Sequence, residues 1–138
     1  MAIRNRRVAN FSIRSEQGAW VTAKAVRRVL GILEDWQYRP DGDGVREIVT
    51  FLVRAAVADG GRRVSIHVAD EDSMALVTVL SHCAGAPDDD ALLRSIAEVS
   101  SVRSCGTDAA PDGRRVWALF DAGPVTSQRR AAGAVPGL

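Results

Sequence analysis

The histidine and cysteine side chains that could perform catalysis or bind a metal have local spacing that suits neither role. Ser81 and His82 precede an acidic run and could begin a hydrolase triad, but neighbours on a strand point to opposite faces. His67, His82, Cys83 and Cys105 could gather around zinc, yet no pair has Cys-x-x-Cys or His-x-x-x-His spacing. We therefore expect no triad and no metal site, and interpret both cysteines as reduced structural thiols.

One helical segment places a carboxylate and an aromatic ring on the same outer face. From Val45 to Ala58 the apolar residues recur at i, i+3, i+4 and i+7, which predicts an amphipathic helix with one buried stripe. Phe51 falls roughly 120° from the centre of that stripe, at about 100° per residue. It shares the outer face with Glu47 and Arg54. A carboxylate there could act as a general base, whereas a large ring beside two charges favours contact with a docked molecule.

The composition is typical of one soluble globular domain. The chain has 138 residues, 46% of them hydrophobic and 25% charged, which is enough for one core. The net charge of +1 provides no global field for nucleic acid, although arginines are concentrated near the start. No apolar run has the length of a signal peptide or a membrane span, so we expect a cytoplasmic protein with no membrane partner.

The first part of the chain predicts one strand and two helices. Phe11 and Ile13 indicate a short edge strand. A long helix follows, with Ser15 as its N-cap and the segment from Pro40 to Gly44 as its stop. The second helix, Val45 to Ala58, ends at Asp59-Gly60-Gly61 in the manner of a glycine cap. The two helices are expected to form an antiparallel pair.

From Arg62 onward the period changes to two, which predicts strands. One strand follows Arg62, a central strand runs from Met74 to Leu80, and Val102–Thr107 pairs with Arg114–Asp121 in a final hairpin. Between them, a third helix is expected from about Asp89 to Val99, capped by its acidic start.

This order predicts an α/β fold, a two-layer sandwich in which a mixed, mostly antiparallel sheet carries about three helices on one face. Residues 1–10 are predicted to be a basic flexible arm and residues 11–121 the domain. Residues 122–138 carry proline, glycine, serine and arginine without periodicity, which predicts a disordered tail.

The element order, with Glu47-Ile-Val-Thr-Phe-Leu-Val-Arg54 in the second helix, resembles the histidine-kinase-like (Bergerat) ATPase fold. In particular it resembles the single-domain anti-sigma-factor serine kinases of actinobacteria, over roughly residues 11–120. In that family a glutamate of the second helix is the general base, and an asparagine four residues later holds magnesium against the phosphates. Glu47 matches the glutamate, but Phe51 stands in place of the asparagine and has no lone pair for a hard cation. The resemblance therefore implies a lost metal site.

Two further motif frames depart from the family. Its adenine-binding Asp-x-Gly-x-Gly loop corresponds to Ser81-His-Cys-Ala-Gly85, where Ser81 replaces the carboxylate, Cys83 replaces the first glycine and Gly85 is retained. Its glycine-rich phosphate turn corresponds to a run of carboxylates, Asp88, Asp89 and Asp90. Each aspartate about 6 Å from a phosphate charge would cost roughly 0.7 kcal/mol in water-like screening and about 3 kcal/mol when partly desolvated. We expect a degenerate member of the fold that uses no cofactor.

The first functional hypothesis is a non-catalytic regulatory module that binds a protein, as anti-sigma factors bind a sigma factor or its antagonist, in bacterial transcriptional or developmental regulation. The residues expected to form or border the surface are Phe51, Glu47, Arg54, Asp88, Asp89 and Asp90. The alternative is an ATP-dependent anti-sigma serine kinase that uses ATP and magnesium in a diverged pocket. A DNA-associated factor acting through the basic arm ranks last, and homodimer formation stays open.

Overall fold

Eight helices and strands follow one another in the residues that the computed structural model describes, 7–15, 18–84 and 90–122. In chain order they are β1 (Val8–Arg14), α1 (Ala19–Asp35), α2 (Gly42–Ala58), β2 (Arg63–Asp70), β3 (Met74–Leu80), α3 (Asp90–Ala97), β4 (Val102–Ala110) and β5 (Gly113–Asp121). The predicted order of strand, two helices, two strands, helix and two strands is confirmed.

The strands of the described chain form one sheet in the order β1-β2-β3-β5-β4. Short turns join β2 to β3 and β4 to β5, and such connections require antiparallel neighbours. All four pairings between described strands are antiparallel, so the parallel part of the predicted mixed sheet is not seen there. β1 lies at an edge and β3 at the centre, as predicted, and the α/β two-layer sandwich is confirmed.

Alternation along the strands decides which sheet face the helices cover. Ile66, Val77 and Phe120 point to the same side and are 0% exposed, as are Leu33 of α1 and Leu52 of α2, which pack onto them. Burying a side chain of this kind contributes roughly 1.5–3 kcal/mol. The predicted buried stripe of α2 is confirmed at every position, Val45, Ile48, Val49, Leu52, Val53 and Ala56.

The described fold includes residues at both ends that the sequence analysis placed outside the domain. β1 begins at Val8 and pairs from Val8 with Ala69, so residues 8–10 belong to the sheet and the predicted arm of residues 1–10 was too long. Ala122 is 0% exposed, and its backbone N–H donates to the Ser73 carbonyl at 2.9 Å, so the predicted tail began one residue early. Residues 1–6 and 123–138 lie outside the described residues.

Two predictions at helix starts are wrong, one because a serine bonds to a distant segment and the other because a local cap starts the helix earlier. α1 is preceded by Gly18, which makes no side-chain cap, whereas the Ser15 hydroxyl donates to the Gly61 carbonyl and ties β1 to the loop after α2. Asp41, predicted to lie in a stop signal, is the N-cap of α2 and accepts from the Asp43 N–H at 3.2 Å. The cap starts α2 at Gly42, three residues before the predicted Val45.

Candidate functional site

A cleft of about 660 Å³ opens between α2 and α3. Its lining residues come from both helices, from the segment after β3 and from β5, namely Phe51, Arg54, Ala55, Ala58, Asp59, Ala84, Ala91, Leu92, Ser95 and Arg114. Methyl groups, an aromatic ring and a leucine make up most of this lining, and the charged groups are Arg54, Asp59 and Arg114. We call it the α2–α3 cleft.

Phe51 lies on the side of α2 between the hydrophobic core and the α2–α3 cleft. Its side chain is half-buried and packs against the hydrophobic core, as does that of Leu92 on α3. Because both also line the cleft, each has a core-facing part and a part accessible from the cleft. Phe51 therefore both stabilises the packing of α2 and gives the cleft an apolar wall.

The other predicted contact residues differ in whether they line the α2–α3 cleft. Arg54 is exposed and lines the cleft, whereas Glu47 is exposed one turn before Phe51 and is not part of the lining. Asp90 is exposed in the first turn of α3. Asp88, Asp89 and Gly85 lie outside the described residues. The structure thus brings together Phe51 and Arg54 from the predicted set.

Ser81 and Cys83, the residues in the adenine-loop frame, form a tight local turn. Ser81 is 1% exposed, and its hydroxyl donates to the Cys83 carbonyl at 3.0 Å and accepts from the Cys83 N–H at 3.3 Å. The hydroxyl is therefore engaged with the backbone. Cys83 and Cys105 are both free and half-buried, and burial raises the pKa of the Cys105 thiol.

A buried ion pair between Arg114 and Asp59 joins β5 to the end of α2 at the α2–α3 cleft. Nε and Nη2 of Arg114 each donate to a different Asp59 oxygen at 2.9 Å, and Nη2 also donates to the Ala55 carbonyl at 3.1 Å. The two side chains are 8% and 2% exposed. No sequence motif marks Arg114 as a buried residue. The sequence signal that could have identified Arg114 is its position two residues before Val116 on the same strand. Strand alternation places both side chains on the face that the helices cover, where a buried guanidinium needs a hydrogen-bond partner.

On the uncovered face of the sheet, tertiary structure pairs His82 with a serine that sequence spacing did not indicate. The Ser65 hydroxyl lies in hydrogen-bond contact with His82 Nε2 at 2.7 Å and with the Ser12 hydroxyl at 3.1 Å. His82 has a positive φ of 62°, which turns the chain after β3. Among the described residues no carboxylate contacts the His82 ring, so the geometry is that of a link between β1, β2 and this turn.

A third polar cluster joins Arg7, Asp70 and Tyr38. Arg7 Nε donates to Asp70 at 2.8 Å, the Tyr38 hydroxyl donates to the same carboxylate, and the guanidinium carbon lies 5.4 Å from the Trp36 ring centre. Burial alone would raise the pKa of Asp70, but the hydrogen bonds from Tyr38 and Arg7 outweigh it and lower that pKa. Burial, followed by the hydrogen bond to Asp70, raises the pKa of Tyr38.

Across residues 7–15, 18–84 and 90–122, no three His, Cys, Asp or Glu side chains group closely enough to hold a metal ion. No helix in those ranges combines the length and the apolar character needed to cross a membrane.

Comparison with known proteins leaves the family open. No protein-family model matches this sequence, and no curated protein matches it.

Proposed function

We propose that this chain is a non-catalytic regulatory module that binds another protein through the α2–α3 cleft. In keeping with the resemblance of its element order to anti-sigma-factor kinases, the partner is a sigma factor or its antagonist, and the setting is the cytoplasm of a bacterium. Glu47, Arg54 and Asp90 border the binding surface, with Phe51 at its centre.

The observation that carries this proposal is the half-buried position of Phe51, an aromatic residue in the wall of a mostly apolar cleft. Interfaces draw most of their affinity from a few aromatic and arginine side chains in or beside well-packed depressions. Phe51 is held by the core, so little rotamer entropy is lost when a partner packs on it. Arg54 beside it supplies a charge that can orient the partner.

The side chains in and near the α2–α3 cleft favour a protein ligand over a magnesium nucleotide. In the resembled family the residue one helical turn after the glutamate gives magnesium an oxygen ligand, and here Phe51 places a benzyl group at that position. The lining carboxylate, Asp59, is already paired with Arg114. The Ser81 hydroxyl is hydrogen-bonded to backbone groups of its own turn.

The decisive experiment compares complexes formed in cells by wild-type protein and by Phe51→Ala, measured by native mass spectrometry after affinity purification. We expect a defined protein complex with the wild type and a loss of at least about tenfold with Phe51→Ala, because the central apolar contact is removed. The control is Leu119→Ala, which truncates a half-buried apolar residue on the uncovered sheet face. Complexes retained at wild-type level by Phe51→Ala would contradict the proposal.

Because Phe51→Ala also removes a core contact, a second variant tests the cleft without lowering the stability of the fold. Ala91 is exposed in the first turn of α3 and lines the cleft, so Ala91→Glu narrows the cleft without removing a core contact. A carboxylate in the first turn is favourable for a helix. We expect Ala91→Glu to weaken the same complex while the thermal midpoint stays within about 2 °C of wild type.

A thermal melt with magnesium ATP distinguishes this proposal from the alternative, an ATP-dependent serine kinase with a diverged pocket. Ligand at 100 times its Kd stabilises the folded state by about 2.7 kcal/mol, which a thermal melt detects readily. We expect no shift of the melting temperature at millimolar magnesium ATP. A saturable shift would overturn the assignment of a nucleotide-free module.

A further inference from the structure

A second groove runs along the outer surface of α1 and α2, on the other flank of α2 from the α2–α3 cleft. We call it the α1–α2 groove. It has a volume of about 910 Å³, and its floor is formed by Val26 and Leu30 of α1 and by Val57 and Ala58 of α2. The lining extends from Gly18, the residue before α1, to Leu30 of α1, and from Arg46 to Ala58 of α2. At about 1.5 Å per residue each wall is about 18 Å long, the length of a three-turn helix.

The charges of the α1–α2 groove are all of one sign. Arg27, Arg46 and Arg54 line it and are exposed, and no aspartate or glutamate is among its lining residues. None of the three makes an ion pair with another described residue. Three guanidinium groups around an apolar floor complement a ligand that carries both apolar side chains and carboxylates.

An exposed tryptophan lies on the same flank of α1. The side chain of Trp20 is 67% exposed. It precedes Arg27 by seven residues, which is two helical turns and places both on one side of the helix. Tryptophan and arginine are the residues most enriched where binding energy concentrates in interfaces.

The terminal segments of this chain do not have the chemistry to fill the groove. Residues 1–6 and 123–138 contain arginines and no aspartate or glutamate. A second copy docked groove to groove would place arginines against arginines, which is unfavourable in the symmetric pairing that most dimers adopt. The charge of the groove therefore favours an occupant that carries carboxylates.

We propose that the α1–α2 groove binds an acidic amphipathic helix of another protein. Its apolar stripe packs on Val26, Leu30 and Val57, and its aspartates or glutamates face Arg27 and Arg46. This is recognition of a helix in a groove, with apolar anchors at i, i+3, i+4 and i+7. The surface is distinct from the α2–α3 cleft, and only Arg54 and Ala58, on the ridge of α2, line both.

The test uses a fluorescein-labelled synthetic peptide of about 14 residues, with leucines along one helical stripe and glutamates on both sides of it. Fluorescence anisotropy measures its binding to the full-length chain, and amide chemical shifts of the ¹⁵N-labelled protein locate it. We expect micromolar binding, shift changes along residues 18–30 and 46–58, and a Kd that rises with salt. A peptide with lysines in place of the glutamates is expected to bind at least about tenfold more weakly.

Charge reversal at the groove is expected to weaken this binding. The double variant Arg27→Glu with Arg46→Glu changes two exposed helix residues and is expected to raise the Kd of the acidic peptide at least about tenfold. The matched control, Arg39→Glu with Arg62→Glu, makes the same change in net charge at exposed positions outside the groove. Ala23→Trp, which fills the groove from an exposed position, is expected to block the peptide as well.

Several outcomes would overturn the proposal. They are no binding at millimolar peptide, equal loss of affinity in the Arg39 and Arg62 control, and shift changes confined to the α2–α3 cleft. Binding to anionic phosphatidylglycerol vesicles but not to the peptide would assign the groove to a membrane surface instead. A dimer seen by light scattering and dispersed by the groove variants would assign it to a second copy. Phe51→Ala is expected to leave peptide binding unchanged, so failure here and failure of the cleft proposal are distinguishable.

Discussion

Gly106 shows how closely one residue can be constrained by a neighbour across the sheet. Trp117 lies over it from β5, and a Cβ added at Gly106 would be 2.7 Å from Cζ2 of the indole. We expect Gly106→Ala to lower the free energy of unfolding by about 1–3 kcal/mol, because the ring or the strand must move. Urea denaturation followed by tryptophan fluorescence measures the change.

Gly31 provides the matched control with the opposite sign. It lies within α1, and an added Cβ meets no heavy atom within 4 Å apart from its chain neighbours and the nearby backbone of its own helix. Gly31→Ala is expected to raise the free energy of unfolding by roughly 0.5–1 kcal/mol, because alanine loses less backbone entropy in a helix. Equal effects of the two substitutions would show that Trp117 does not restrict position 106.

Between elements, the ion pair of Arg114 and Asp59 fastens the end of α2 to β5. Removing one partner of a buried pair leaves a desolvated charge and typically costs about 3–5 kcal/mol. We expect Asp59→Ala to destabilise the fold by about that amount in chemical denaturation. Asp108→Ala is the control, because Asp108 and its partner Arg115 are both exposed and little change is expected there. A comparable loss of unfolding free energy in both variants would show that burial does not make the pair of Arg114 and Asp59 more stabilising than an exposed pair.

The cluster of Arg7, Asp70 and Tyr38 fastens three other segments together and should make stability depend on pH. The folded pKa of Asp70 is lowered, so its stabilisation is full above the unfolded value of about 4 and is lost as the pH falls through the folded value. At high pH the raised pKa of Tyr38 has the opposite effect. The stabilisation from Tyr38 is full below about pH 10 and is lost as the pH rises through the pKa of Tyr38 in the folded state.

Asp70→Asn tests this linkage. The difference in unfolding free energy between wild type and Asp70→Asn is expected to be constant from about pH 5 to pH 8 and to shrink below about pH 4, because the wild-type carboxylate becomes protonated. Denaturant titrations at a series of pH values measure it. A difference that stays constant down to pH 2 would mean that the carboxylate charge is not what stabilises the cluster.

At the scale of the whole molecule, one core is shared by helices from both halves of the chain and by the sheet. Leu33, Leu52, Ile96 and Phe120 belong to the same buried cluster, although they come from α1, α2, α3 and β5. We expect unfolding in urea to be two-state, with coincident transitions for far-ultraviolet circular dichroism and tryptophan fluorescence. Separate midpoints would indicate that the helical layer and the sheet unfold independently.

The local pattern of this sequence was sufficient for the elements and for the layer arrangement. The stripe from Val45 to Ala56 and the alternation of Val64, Ile66 and Val68 identify buried faces, because the periods of 3.6 and 2 are properties of neighbouring residues. Helix geometry placed Phe51 on the outer face of α2 with Glu47 and Arg54, whereas the structure shows its side chain half-buried against the core.

Only the tertiary structure decided which distant side chains meet. The pairs of Arg114 with Asp59, His82 with Ser65 and Arg7 with Asp70 join residues that are 55, 17 and 63 positions apart. Such contacts depend on strand order and register, which follow from the packing of the whole chain rather than from local spacing. For the same reason the sequence alone indicated six contact residues, of which Phe51 and Arg54 line the α2–α3 cleft. The cleft and the basic α1–α2 groove emerge only when the helices pack beside one another.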